Sequence, residues 1–140
     1  MSLRPVLKSF RVVAYSSENR AESSPEPWQI NLDNTIEIGL AVPTVAGNPI
    51  QAWVKLALRA TAKSSSNPQA KASFSGEYQG TFDYPASTTE ADATTSVAAE
   101  EHQYLLAAQV FPLAMSHFRR ELQATGFDAR ELPLGMSVSP

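Results

Sequence analysis

From Trp28 to Val42 the apolar residues keep one parity. Trp28, Ile30, Leu32, Ile36, Ile38, Leu40 and Val42 occupy even positions, and Gln29, Asn31, Asp33, Thr35 and Glu37 alternate with them. Successive side chains on a strand point to opposite faces, so this row demands a long strand with one apolar face. Only Asn34 interrupts it. Asp33-Asn34 would also suit a two-residue hairpin turn. One long strand is preferred, because the parity survives and a one-residue slip would move the row to the other face.

Three more segments alternate in the same way. In 6–15, Val6, Phe10, Val12 and Ala14 share one side, while Leu7, Val13 and Tyr15 share the other. Such a strand implies burial or pairing beyond one sheet. In 51–63, Ala52, Val54, Leu56 and Leu58 oppose Lys55, Arg59 and Lys63, with Trp53 anomalous on the charged side. In 70–84, Phe74, Tyr78, Phe82 and Tyr84 oppose Lys71, Ser75, Glu77 and Asp83. The turn-rich stretches "VAGNP" (45–49) and "SSSNPQ" (64–69) suit hairpins, whereas the longer polar 16–27 suits a crossing connection. One apolar face, one polar face and short links predict an antiparallel sheet packed on one side.

"PASTTEADATTS" (85–96) reads as a polar linker holding helix-start residues. From about 97 to 125 the period becomes helical, and Gly126 is a suitable terminator. Strands first and a helix last give the α+β class, in one domain over 1–140 with the sheet at 6–84. The tail 126–140 is too short and too broken by Pro and Gly for another good helix.

Within the helix, Tyr104, Ala108, Phe111, Met115, Phe118 and Leu122 form a narrow stripe suited to cover the sheet. Leu106, Val110, Leu113, His117 and Ala124 form a second stripe, read as lying on the opposite side. A helix over one sheet needs only one apolar face. Leu106, Val110, Leu113 and His117 are therefore expected at an interface with another copy of the chain. Pro112 interrupts the helix without a preceding Ser, Thr, Asp or Asn cap, so the expectation is one long helix bent there.

The chain has 140 residues, no cysteine and a formal net charge of −3. That length can bury a core without staples, and disulfides and thiolate metal sites are excluded. No basic run offers a footprint for nucleic acid. No stretch approaches a membrane span, and the N-terminus does not read as a secretory signal, so a cytoplasmic location is the default expectation. His102 and His117 stand about four turns apart and cannot share a metal. There is no Gly-x-Ser-x-Gly elbow and no phosphate-binding glycine loop. Glu77 and Asp83 are too far apart along their strand for paired acid–base work. No enzyme is expected, and no cofactor.

"VFPLAMSHFRREL" (110–122) resembles the helix signature of the SecB protein-export chaperones. Phe111, Pro112 and Ala114 match it, whereas Leu113 and Met115 depart from it. Gly80 and Phe82 in "EYQGTF" are similar to the Gly-x-Phe that ends the family's last strand. "GF" at 126–127 resembles the pair after its helix, Trp28 sits where the family often has a tryptophan, and "FRVVAY" resembles its first strand. The resemblance covers residues 8 to about 134. It implies a four-stranded antiparallel sheet with a long helix, assembled as a dimer or tetramer. It further implies nucleotide-free binding of non-native polypeptides, with an export motor or an antitoxin as possible partner. The chain departs from the family in lacking the C-terminal helix, in its polar 16–27 loop, and in a sheet surface of mixed charge. Trp28, Ile30, Leu32 and Ile36 are the polypeptide-binding candidates, with Trp53 a second site. The rival readings are a small-ligand pocket between helix and sheet, or a structural subunit of a larger phage or secretion assembly.

Overall fold

A computed structural model describes residues 4–19, 28–64, 71–127 and 132, leaving aside the side chains of Asn19, Trp28, Ser64 and Lys71. The elements are β1 (Val6–Asn19), β2 (Trp28–Ala41), β3 (Gln51–Ser64), β4 (Lys71–Asp83), α1 (Glu90–Ala98) and α2 (Glu100–Ala124). The strands form one sheet in the order β1-β4-β3-β2, with every neighbouring pair antiparallel. β1 and β2 are the two edges, so the chain between them passes from one side of the sheet to the other. This is the expected α+β architecture, including the crossing connection. The "VAGNP" turn joins β2 to β3, with Asn48 N–H bonded to the Val45 carbonyl and Gly47 at φ +94°. Most of "SSSNPQ" lies outside the described residues.

β2 is a single strand through Asp33-Asn34, paired in unbroken register with β3 from Trp28↔Ser64 to Ala41↔Gln51. The hairpin alternative at that dipeptide does not form. Along β3, Ala52, Val54, Leu56, Leu58, Ala60 and Ala62 are all buried, and along β4 so are Ala72, Phe74, Tyr78 and Phe82. These residues share the face covered by the helices.

β1 departs from the simple alternation. Its register against β4 shifts between Leu7 and Ser9 and again between Val12 and Ala14. Each bulge adds a residue and re-phases the strand. Leu7, Phe10, Val12 and Tyr15 therefore face the same way, opposite Phe82, Gly80, Tyr78 and Gly76. The two-faced look of 6–15 is bulging, and it needs no second sheet.

The helical segment starts earlier than its period indicates, and it is two helices. Thr89 caps α1 by accepting the Asp92 backbone N–H at 3.1 Å, within the stretch read as a linker. Ala99, in extended conformation, separates the helices, and the Gln103 side chain donates to the Val97 carbonyl at 2.7 Å across the joint. α2 then runs without interruption through Pro112. Its end is a Schellman motif. Gly126, at φ +95°, donates to Gln123, Phe127 donates to Leu122, and both Phe127 and Leu122 are buried.

The two stripes of α2 are not on opposite sides. Leu106, Ala107, Val110, Phe111, Ala114, Met115, Phe118 and Leu122 are all buried. At about 100° per residue, the Leu106–Val110 row and the Phe111–Met115–Phe118–Leu122 row flank a seam made by Ala107 and Ala114. Those alanines let the helix axis approach the sheet, and both rows then reach down. Val110 comes down over Gly80, where a β-carbon would clash with it. Burial of each large side chain contributes about 1.5–3 kcal/mol relative to leaving it exposed. Leu106 and Val110, expected at an interface between copies, are 0% exposed inside the chain's own core.

Candidate functional site

α2 packs on β1, β3 and β4, while β2 is met by α1. The inner row of β2 is consequently only partly covered. Ile30, Leu32 and Ile36, directly opposite Ala62, Ala60 and Leu56, are half-buried, as are Ile38 and Leu40 further along. Trp28 belongs to the same row by register, opposite Ser64, and its side chain lies outside the described residues. Among the described residues the far edge of β2 has no strand partner. Among those residues the result is a 14-residue edge strand with a row of aliphatic side chains beside it. Unpaired edges of this kind template the addition of an extended chain.

Trp53 is not part of that row. It sits on the outward face, opposite Gly39, with its ring lying where a β-carbon of Gly39 would be. The Lys55 ammonium lies 4.8 Å from the ring centroid. The glycine makes room, the indole covers the exposed backbone, and the lysine adds a cation–π contact. The anomalous aromatic among charges thus has a structural partner that sequence reading missed. The signal was available, because Gly in a strand interior marks a close approach.

The four residues expected at an interface also separate. Leu106 and Val110 are core. Leu113 is 42% exposed on the outer side of α2, near Leu105 at 46%. His117 is half-buried and turned toward the sheet, its Nδ1 2.9 Å from the Tyr78 hydroxyl and its Nε2 3.6 Å from Glu121. Its ring also meets Tyr15 edge-on. Burial pushes the Tyr78 hydroxyl pKa well up, helped by nearby Tyr15 and Glu121, so this phenol stays protonated. His102 stacks on Tyr84, with Nε2 2.8 Å from its hydroxyl. Burial lowers the His102 pKa and raises that of Tyr84, which fits a neutral imidazole accepting the tyrosine proton. Both histidines therefore tie helix to sheet. No group of His, Asp and Glu among the described residues could hold a metal.

The outward face carries a shallow depression of about 510 Å³. Ala57 lies in its floor, with Arg11, Lys55, Arg59, Glu37 and Glu77 around it. This is the mixed-charge surface expected from the sequence. A ligand pocket between helix and sheet was the other expectation, and there the space is filled by Tyr78, Phe82, Val110, Met115 and Phe118, all at 1% exposure or less. No helix among the described residues is long and apolar enough to cross a membrane.

No family model matches the sequence, and no curated protein matches it. Among solved structures, the chain is similar to the Mycobacterium tuberculosis Rv1957 SecB-like chaperone in complex with a ChAD peptide from the Rv1956 HigA1 antitoxin. The TM-score is 0.62 at 16% sequence identity, over 98% of this chain and 91% of that one. The four-stranded antiparallel sheet with its helices is thus a SecB-like fold.

Proposed function

We propose that this chain is a SecB-like chaperone that binds unfolded or extended polypeptide segments along β2, without nucleotide, metal or covalent chemistry. One observation carries the reading: the aliphatic row Ile30, Leu32 and Ile36 is only partly buried, on a 14-residue strand whose far edge has no strand partner among the described residues. An extended segment laid there would gain main-chain hydrogen bonds from the edge and bury alternate side chains on the row. A folded protein offers neither a free strand nor such side chains, which is the basis of discrimination. The similar mycobacterial chaperone was solved with a peptide of an antitoxin, and this supports an extended peptide as the class of client. An export motor or an antitoxin is the corresponding partner, and the setting is cytoplasmic.

The chain is further proposed to assemble as a homodimer or homotetramer. Leu105 and Leu113, exposed on the outer side of α2, supply the apolar contact, and Pro112 lies between them in sequence.

The test is to dilute several unrelated, chemically unfolded clients into buffer with and without the protein and to follow their aggregation by light scattering. Aggregation should be delayed for the unfolded clients, and the same clients once folded should be ignored. The variant Leu32→Ser/Ile36→Ser should lose most of this effect while keeping its circular dichroism. No delay with any client would overturn the general chaperone reading.

A further inference from the structure

Asn34 stands in the middle of the inner row of β2, between Leu32 and Ile36 and opposite Leu58. Leu58 is 0% exposed, and Ile30, Leu32, Ile36, Ile38 and Leu40 are half-buried, whereas Asn34 is exposed. Asparagine is depleted in strands, where it adds little apolar surface to a packed face. A turn or a bulge would account for it, but the pairing with β3 runs through this position without a shift. A side-chain hydrogen bond would also account for it, and among the described residues none reaches its amide. A residue that breaks the pattern of its own strand without a local compensation points to a function.

The amide divides the row into two apolar blocks, Ile30 and Leu32 on one side and Ile36, Ile38 and Leu40 on the other. Four residue steps separate Leu32 from Ile36, about 13 Å along the strand. A segment laid beside β2 places one of its side chains next to Asn34. Its neighbours two residues away then meet Leu32 and Ile36, whichever way the segment runs. An apolar side chain in the middle place strips water from an amide that has donors and an acceptor to satisfy, and returns no partner. An amide or hydroxyl there bonds to Asn34 across the two strands. A charged side chain has to give up more water to sit between two aliphatic blocks, so it is the poorer partner.

We infer that Asn34 selects the extended segments that β2 accepts and fixes their register. The favoured segment has apolar residues at alternate positions, interrupted once by Asn, Gln, Ser or Thr, with that residue beside Asn34. A segment apolar at every alternate position, the pattern of an ordinary half-buried strand, is disfavoured. The inference rests on the client-binding reading above and narrows its class of client.

Short fluorescein-labelled peptides test it. Two of them alternate Thr and Val, with Lys at each end, and differ only at the central Val position, which is Asn in one. By fluorescence anisotropy the full chain should bind the Asn peptide about fivefold more tightly or better, the effect of one unsatisfied amide. A third peptide, with Asn moved to the next Val position, should bind more weakly than the centred one, because the two apolar blocks no longer match. Asn34→Val should reverse the order of the first two peptides. Asn34→Ala, which removes the amide without enlarging the apolar edge, should abolish the preference for Asn, and both variants should keep the circular dichroism of the parent. Equal binding of the first two peptides by the parent would overturn the inference and leave the client-binding reading standing. So would a preference that survives in Asn34→Ala. A larger mass for Asn34→Val with the peptide preference unchanged would also overturn it, since Asn34 would then only guard the edge against other copies. If neither peptide binds while unfolded clients are still held, clients bind away from this row and the inference alone falls. If neither peptides nor clients bind, the client-binding reading falls and takes the inference with it.

Discussion

At Gly80 the helix approaches the sheet so closely that a β-carbon would meet the Val110 side chain. The glycine-to-alanine change forces one of two packed layers to move, and overpacking of this kind costs about 1–3 kcal/mol. Gly80→Ala should lower the urea midpoint, and the double variant Gly80→Ala/Val110→Ala should lose less stability than the sum of the two single costs. An additive double variant would show that the two positions do not press on each other. Residue-level chemistry also sets a pH dependence. The His102 pKa lies below its ordinary value of 6.5 because the ring is desolvated against Tyr84. The folded chain therefore holds fewer protons here than the unfolded chain near that pH. This stabilisation is complete above about pH 6.5 and declines as the pH falls through the depressed folded value. His102→Gln, followed by denaturant unfolding between pH 5 and 8, should flatten that part of the profile. An unchanged slope would remove His102 as its source. Such contacts are hard to read in sequence, because both lie between positions far apart in the chain. Trp53 is the instructive case: an aromatic among lysines and arginines suggested a site, whereas its ring covers Gly39 on the neighbouring strand.

At the scale of the element, period was legible and phase was not. β2 and β3 kept their alternation without a break, so each strand's inner row could be named residue by residue. β1 could not be phased, because two bulges shift it and a bulge leaves no signature once both flanking residues are apolar. The α2 stripes failed for a related reason. Alanines were given no weight, so the seam of Ala107 and Ala114 was missed and the two flanks of one face were read as opposite faces. α1 was missed because its residues are mostly small or polar, although Thr89 and Asp92 form an N-cap contact. Thr89→Ala should cost about 1 kcal/mol of stability in denaturant unfolding, as loss of a cap does. A cost near zero would mean that α1 is held by packing alone, through buried Ala93. α2 also tolerates an interior proline, which gives up the bond to the Ala108 carbonyl. If α2 carries no other function at that point, Pro112→Ala should raise stability, by up to about 3 kcal/mol.

At the scale of the molecule, the arrangement of strands and helices was legible because each segment's period named its type and the polar connections named the crossing. The exposed surfaces were less legible, since exposure depends on what one element leaves uncovered on another. Those surfaces now divide cleanly. Val110 lies inside the protomer at 0% exposure, whereas Leu105 and Leu113 lie outside it at 46% and 42%. Apolar side chains scattered singly on a surface need no explanation, but these two are eight residues apart on a helix, about two turns, and lie within about 80° of each other. The proposed assembly rests on them, and the division gives it a sharp test. Leu105→Asp/Leu113→Asp should keep the circular dichroism of the parent and shift the mass measured by light scattering toward the monomer. Val110→Asp should instead lose the fold, because it buries an unpaired carboxylate beneath the helix. A parent protein that is monomeric at tens of micromolar would overturn the assembly. So would a Leu105→Asp/Leu113→Asp variant that keeps the parent's mass, since the contact would then have to lie on another face of the sheet or helices.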